Sequence, residues 1–351
     1  MSVSGRPLRV LVVDDSVLVR QTILTVLSHE GFDVVTAADP LIAMERMKNA
    51  PPDVILLDLE MPRMDGLSFL RKIMREDPRP VVICSAVAPQ GSDNALHALD
   101  EGAVDIVLKP QIGVQRFLHE SAVMLADAVR AASAAKIVRR GVREPMPSRA
   151  PQSPRLHAGG EPSSTIIAVG ASTGGTTALR VLLEGMQPDG PAVVIVQHMP
   201  RMFTGAFSQA LDRTAAMHVR EAVDGDSLTR GVALLAPGDR HMRVVHGRRG
   251  GWEVELFDGP LVTRHRPSVD VLFRSVARTA SASSVGVLLT GMGSDGADGL
   301  LAIRQAGGTT IAQDEATSVV FGMPKEAIAR GAVDRVLPLQ EIAAAVRGGR
   351  G

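Results

Sequence analysis

Short β-branched runs alternate with longer helical patterns along most of this chain, and that alternation calls for parallel sheets covered by helices on both faces. In the first third the runs fall at Arg9 to Val13, Asp33 to Ala37, Val54 to Asp58, Val81 to Ser85 and Val104 to Leu108. Helical patterns lie between and after them, near 17–29, 40–49, 66–76, 92–101 and 112–138, with Gly31 and Gly102 placed as helix stops. The pattern predicts a small doubly wound domain with a five-stranded parallel sheet.

The alternation collapses between Arg139 and about Ser164, where Pro145, Pro147, Pro151, Pro154 and Pro162 interrupt Arg, Gly and Ser. This composition reads as a linker, and a random-coil estimate for residues 141–163 gives a reach of roughly 25 Å. The alternation resumes at Thr165 to Val169 and Ala192 to Gln197, passes a β-rich section from about 218 to 258, and returns at Val285 to Thr290. The expected division is a first domain over 1–130, a linker over 131–163 and a second α/β domain over 164–351. A length of 351 residues agrees with this, at roughly 150 residues per domain.

With 45% hydrophobic and 22% charged residues the chain has enough apolar side chains to bury cores. Its 38 basic residues balance 38 acidic ones, so no net field draws it to nucleic acid or an anionic membrane, and no nucleic-acid partner is expected. The apolar run before Asp14 is too short for a signal-peptide core, and no stretch reaches the roughly 18 apolar residues of a membrane span. Cys84 is the single cysteine, which excludes an intrachain disulfide. These readings predict a cytoplasmic protein without membrane insertion.

In a doubly wound sheet, residues at the carboxyl ends of the strands converge on one crevice. Here those ends carry Asp14 and Asp15, Asp58, Ser85 and Lys109. Three carboxylates in one pocket repel one another unless a cation intervenes, so Asp14, Asp15 and Asp58 are candidate ligands for a hard divalent ion such as Mg²⁺. Asp58 is then a nucleophile toward a phosphoryl group, with Lys109 and the Ser85 hydroxyl available to its oxygens. The stretches VLVVDDS, DVILLDLEMPRMDG, VVICSA and VLKP closely resemble the receiver domain of two-component response regulators, which implies a flavodoxin-like (CheY-like) fold with Asp58 as phosphoacceptor and Ser85 and Lys109 as switch residues. Ile106 and Val107 depart from that pattern, in the stretch where receivers usually carry an aromatic switch residue.

In the second half, Gly170-Ala-Ser172-Thr-Gly174 matches a strand-turn-helix nucleophile elbow. Glycine-rich turns of this kind also hold dinucleotides, but that reading needs an acidic residue closing the next strand, and Gln197 and His198 stand there. A serine nucleophile needs a base and an orienting carboxylate. His198 and Asp295 both follow apolar strands, with His241 and Asp239 as runners-up in similar contexts. The chain order Ser172, His198, Asp295 disfavours an α/β-hydrolase.

The stretches VGASTGG, VIVQHMP, FTGAFSQALD, LAPGDRHM, HRPSVDVLF, LLTGMGSDGADG and QDEATSVVFGMPKEA resemble the chemotaxis methylesterases of the CheB family. The resemblance spans nearly the whole chain. It implies a receiver joined to a doubly wound α/β methylesterase domain, with Ser172 as nucleophile, His198 as base and then acid, Asp295 holding the imidazole, and the N–H groups of Thr173 and Met292 as oxyanion hole. It further implies methyl-accepting chemoreceptors as substrate for demethylation and glutamine deamidation, a chemotaxis histidine kinase (CheA) as phosphodonor, no cofactor for the ester chemistry, and a receiver that uncovers the esterase site when phosphorylated. Arg201, Arg264 and Arg266 are read as solvated surface, with a groove for acidic receptor helices as the alternative. The rival expectation is a response regulator with a non-catalytic binding output domain.

Overall fold

The computed structural model describes residues 6–62, 64–86, 91–110, 115–137, 161–248 and 250–347, with only the backbone of 91, 92 and 115–121. The chain divides into two compact units, Met1–Arg143 and Glu144–Gly351. Most of the stretch read as a linker lies outside the described residues.

The first unit runs β1 (Arg9–Val13), α1 (Val17–His29), β2 (Asp33–Ala37), α2 (Pro40–Asn49), β3 (Val54–Leu57), α3 (Gly66–Glu76), β4 (Val81–Ser85), α4 (Gly91–Asp100), β5 (Asp105–Leu108) and α5 (Gln115–Ser133). Its strands pair in parallel in the order β2-β1-β3-β4-β5, the flavodoxin-like order. β3 and β4 are buried along their whole length, which is why they read as unbroken apolar runs rather than as alternations. α3 shows the other pattern: Phe69, Leu70 and Ile73 face the core, and the Asp65 side chain caps its start by accepting from Ser68 N at 2.8 Å. Gly31 and Gly102 both take positive φ, as helix stops do. α5 continues to Ser133, so Ala131 and Ala132 are buried helical residues.

The second unit runs β6 (Ile166–Ala171), α6 (Gly175–Glu184), β7 (Ala192–Gln197), α7 (Arg201–Thr214), β8 (His218–Glu221), β9 (Val232–Leu235), β10 (His241–His246), β11 (Trp252–Phe257), α8 (Val269–Ala280), β12 (Ser284–Leu288), α9 (Ala297–Gln305), β13 (Thr309–Gln313), α10 (Met323–Ala329), β14 (Arg335–Leu337) and α11 (Leu339–Arg347). Seven strands pair in parallel in the order β14-β13-β12-β6-β7-β9-β8. The β-rich section thus splits, with β8 and β9 closing one edge of the sheet and β10 and β11 forming a separate antiparallel hairpin. Strand order reverses at β6, flanked by β12 and β7, so the crevice at this switch point lies beyond the carboxyl ends of those three strands.

α8 joins the hairpin to the sheet. Its Val269, Leu272, Phe273 and Val276 share one buried cluster with Met242, Val244, Val254 and Leu256 of the hairpin and Leu300 and Ile303 of α9. The hairpin is also hydrogen-bonded to the helix, Val244 N donating to Ser275 Oγ at 2.9 Å and Thr279 Oγ1 donating to Val244 O at 3.1 Å. Among the described residues no helix is long and apolar enough to cross a membrane.

Phe273 is a fully buried member of this cluster, so Phe273→Ala is expected to cost the second unit about 3–5 kcal/mol. Trp252 is the only tryptophan of the chain and lies in β11, so the denaturant midpoint of its fluorescence measures that loss in the second unit alone.

Candidate active site and phosphoacceptor site

Ser172 directly follows β6 and is held there by Ser172 N donating to Thr290 O at 3.0 Å. The chain then turns into α6 through Gly174, whose φ is 78° and whose position leaves a side chain no room: a Cβ there would come within 2.5 Å of Val319. His198 directly follows β7, and its N–H donates to Ala171 O at 3.1 Å, which ties the ends of β6 and β7 together. Asp295 lies in the loop after β12. The three residues proposed from sequence therefore converge from three adjacent strand ends.

His198 Nε2 lies 2.9 Å from Asp295 Oδ2. Facing a carboxylate, Nε2 carries the ring proton, which leaves the lone pair on Nδ1. This is the reverse of the trypsin-like triad, in which Nδ1 faces the carboxylate. His198 Nδ1 is buried and has no hydrogen-bond partner, so the bond to Ser172 Oγ is not formed here. Contacts of this kind tighten when substrate is in place.

Asp295 is fully buried. Besides His198 its carboxylate accepts from Ser268 Oγ at 2.7 Å, Val269 N at 2.7 Å and Asp270 N at 3.1 Å. Ser268 is the N-cap of α8, so the carboxylate sits on the positive end of that helix. Burial alone pushes the Asp295 carboxyl up, but the bond and charge of His198 and the Ser268 bond outweigh it, and the net shift is downward. Asp295 is thus an anion held for the imidazole.

A second histidine lies against the first. The His265 and His198 rings stack with centroids 3.7 Å apart and planes 11° from parallel. Burial, and then the neighbouring His198, push the His265 imidazole down to about 3, so it is neutral at ordinary pH. The two runners-up hold backbone instead. His241 Nε2 faces Pro260 O at 2.9 Å while its Nδ1 accepts from Ser268 N at 3.3 Å, which commits both ring nitrogens. Asp239 is a turn residue with φ 62°, its N–H donating to Arg266 O at 3.3 Å.

The expected oxyanion peptides are both anchored through their carbonyls. Gly291 O, in the peptide that carries the Met292 N–H, accepts from Gly322 N at 3.0 Å and Met323 N at 2.8 Å. Ser172 O, in the peptide that carries the Thr173 N–H, accepts from Gly175 N at 2.7 Å. Of the arginines, Arg266 donates to Gly259 O at 2.6 Å and so braces its own loop.

The first unit gathers its own cluster at its strand ends. One ligand atom each of Asp14, Asp15 and Asp58 fall within 4.8 Å of one another. Asp14 and Asp58 are buried and Asp15 is exposed. Lys109 Nζ lies 2.8 Å from Asp14 Oδ2 and 2.7 Å from Asp58 Oδ2. Burial pushes the Asp58 carboxyl up, and the Lys109 bond and charge only partly oppose it. Burial also pulls the Lys109 ammonium down, but its bonds to Asp14 and Asp58 outweigh that and raise it overall. Asp58 is fixed by close backbone packing as well, since a Cβ at Gly66 would lie 2.1 Å from Asp58 O. Ser85 ends β4, its Oγ donating to Ala86 O at 3.3 Å. Ile106 and Val107 are buried in β5, so aliphatic core stands where receivers usually carry an aromatic switch.

The CheB methylesterase family matches residues 167–346, and the response regulator receiver domain family matches residues 10–120. An Anaeromyxobacter dehalogenans (strain 2CP-C) protein named protein-glutamate methylesterase/protein-glutamine glutaminase 1 is 54% identical over 349 residues, covering 96% of this chain and 98% of the relative. The chain belongs to the CheB methylesterase family. A Geobacter metallireducens (strain ATCC 53774 / DSM 7210 / GS-15) relative, protein-glutamate methylesterase/protein-glutamine glutaminase 3, is 52% identical over 96% of this chain and 98% of its own. The solved Thermotoga maritima CheB methylesterase catalytic domain matches with a TM-score of 0.51 at 36% identity, over 52% of this chain and 96% of that one.

Within this CheB architecture Ser268, His265 and Gln197 also touch the site, without having been among the site candidates. Ser268 carries a local signal, a serine immediately before the apolar helical run of α8, and Gln197 carries another, a polar residue ending the apolar β7.

Because the folded state lowers the Asp295 carboxyl, Asp295 stabilises the fold above the ordinary carboxylate pKa of about 3.9, and that contribution is lost as pH falls through the lower folded value. Asp295→Asn is therefore expected to be less stable than the natural chain at neutral pH, with the gap closing in acid. Trp252 fluorescence midpoints across pH 3 to 7 (about the carboxylate range) measure it.

Proposed function

We propose that this chain is a protein-glutamate methylesterase and protein-glutamine glutaminase, acting in the cytosol on chemoreceptors. The observation that carries the reading is the convergence of Ser172, His198 and Asp295 from three adjacent strand ends, with His198 Nε2 on Asp295 and Nδ1 without a partner. The family membership supports the substrate class, and nothing in the comparisons supports a non-catalytic output domain.

In this reading Ser172 Oγ attacks the carbonyl carbon of a glutamate γ-methyl ester while His198 Nδ1 takes the hydroxyl proton. Asp295 steadies the imidazolium, and the N–H groups of Thr173 and Met292 receive the oxyanion, each worth on the order of 3 kcal/mol in the transition state. Collapse expels methanol, protonated by Nδ1–H, and leaves an acyl-serine. Water then attacks under the same base and releases free glutamate and Ser172. A glutamine side chain follows the same course with ammonia as leaving group.

The first unit, through the end of α5 at Ser133, acts as the receiver, the segment that follows it as linker and 164–351 as the catalytic domain. Asp58 accepts a phosphoryl group from a chemotaxis histidine kinase, and Lys109 and Ser85 bind its oxygens. The hard, closely spaced oxygens of Asp14, Asp15 and Asp58 suit Mg²⁺, which when bound neutralises charge on the transferring phosphoryl group. Phosphorylation then relieves the receiver's restraint on the esterase.

Methylated receptor membranes are expected to release methanol with the natural chain and none above background with Ser172→Ala; equal release by both would overturn the esterase reading. With acetyl phosphate, incorporation at Asp58 is expected to require Mg²⁺, to stop when EDTA is added and to be absent in Asp58→Asn. Stimulation of methanol release by acetyl phosphate should disappear in the same samples.

A further inference from the structure

We infer that Gln197 is a positioning residue for acyl transfer: its buried amide sets the peptide carrying the Thr173 N–H and pins that peptide to the segment carrying His198. The inference rests on the proposed role of Thr173 as oxyanion donor. Gln197 ends β7 and is only 2% exposed. Its Nε2 donates to Ser172 O at 2.9 Å and to His198 O at 3.0 Å. Both partners are carbonyl oxygens, which fixes the nitrogen of the amide on that side.

The Ser172 carbonyl and the Thr173 N–H belong to one planar trans peptide, so they point in opposite directions and turn together. Two donors, Gln197 Nε2 and Gly175 N, hold that carbonyl and thereby hold the direction of the N–H. They also polarise the peptide, which strengthens the N–H as a donor. The Gly291–Met292 peptide is held in the same way by Gly322 N and Met323 N. Of these four donors only Gln197 is a side chain. Its second bond reaches the carbonyl of His198, so one amide braces the segments of nucleophile and base beside the His198 N–H to Ala171 O bond.

The rest of the Gln197 environment argues against a packing role. The five residues before it in β7, Ala192 to Val196, are apolar and buried, and an apolar side chain at 197 would continue them. Instead Gln197 Oε1 is buried without a partner, an arrangement that costs stability. Gly175 leaves room for that oxygen, since a Cβ there would lie 2.1 Å from it.

The test compares Gln197→Met, which keeps the bulk and loses both donors, with Gln197→Glu, which keeps the shape and recovers one donor only when protonated. Both are made in the full chain and assayed with acetyl phosphate, Mg²⁺ and methylated receptor membranes. Rates are counted per serine titrated with a fluorophosphonate. The expected result is a kcat lowered about 10- to 100-fold with KM unchanged, less than the loss from deleting an oxyanion donor outright. For Gln197→Glu the deficit relative to the natural chain should narrow as pH falls, and for Gln197→Met it should not.

A kcat per titrated serine equal to that of the natural chain, even with a lowered Trp252 unfolding midpoint, would reduce Gln197 to a structural residue and overturn the inference. Should Gln197→Met fail to fold, Gln197→Glu at high and low pH supplies the same comparison, and a deficit independent of pH would overturn the inference. Ser172→Ala in the same assay separates the two levels. Methanol release by that variant would sink the esterase reading itself, whereas its inactivity beside fully active Gln197 variants would sink only the role of Gln197.

Discussion

The catalytic unit depends on one buried anion. Asp295 reaches α8, and its carboxylate takes hydrogen bonds from the cap residue Ser268, from two backbone N–H groups in the first turn and from His198. A carboxylate removed from water is stable only if its oxygens are this fully bonded. The same bonds join the loop after β12, the start of α8 and the end of β7, so the group that orients the imidazole also fastens the crevice. His241 adds to this from the hairpin by accepting from Ser268 N, and His265 limits the His198 ring from its face. The His198 ring is held because the helix beneath its partner cannot move without exposing a charge.

The first unit solves the opposite problem. Asp14 and Asp58 are buried close together, and their repulsion is met by a side chain, Lys109, instead of by a helix end. Burial still holds the Asp58 carboxyl up, so the cluster carries more negative charge than Lys109 alone offsets. A divalent cation would relieve that excess, and more so once a phosphoryl group adds charge of its own. Both units place their chemistry at the carboxyl ends of parallel strands, but the second locks its charges with fixed dipoles while the first leaves them to be reset.

Much of this was legible in the chain itself. The unbroken apolar runs of β3, β4, β6 and β7 mark strands buried on both faces, and the polar residues that follow mark the crevice. Ser172, His198, Asp295, Asp14, Asp58 and Lys109 all stood out on that ground. His241 and Asp239 stood out on the same ground, and the structure gives them to the backbone of the 258–268 loop. Gln197 closes an apolar run and His265 lies in a quoted motif, but neither position reveals its role, because what matters about each is a partner far along the chain.

The order of residues alone dictates the alternation of strand and helix, the two α/β units, the strand-end candidates and, through several motifs in order, the family. These follow from local periodicity and from turn residues, which are read within a few positions. Three-dimensional packing is what selects which nitrogen of His198 meets Asp295, seats Asp295 on the start of α8, lays His265 over His198, and lets Gln197 tie two carbonyls together. Each of these depends on the register between strands and on the seat of one helix, quantities set by packing across the whole unit and present in no single stretch of residues.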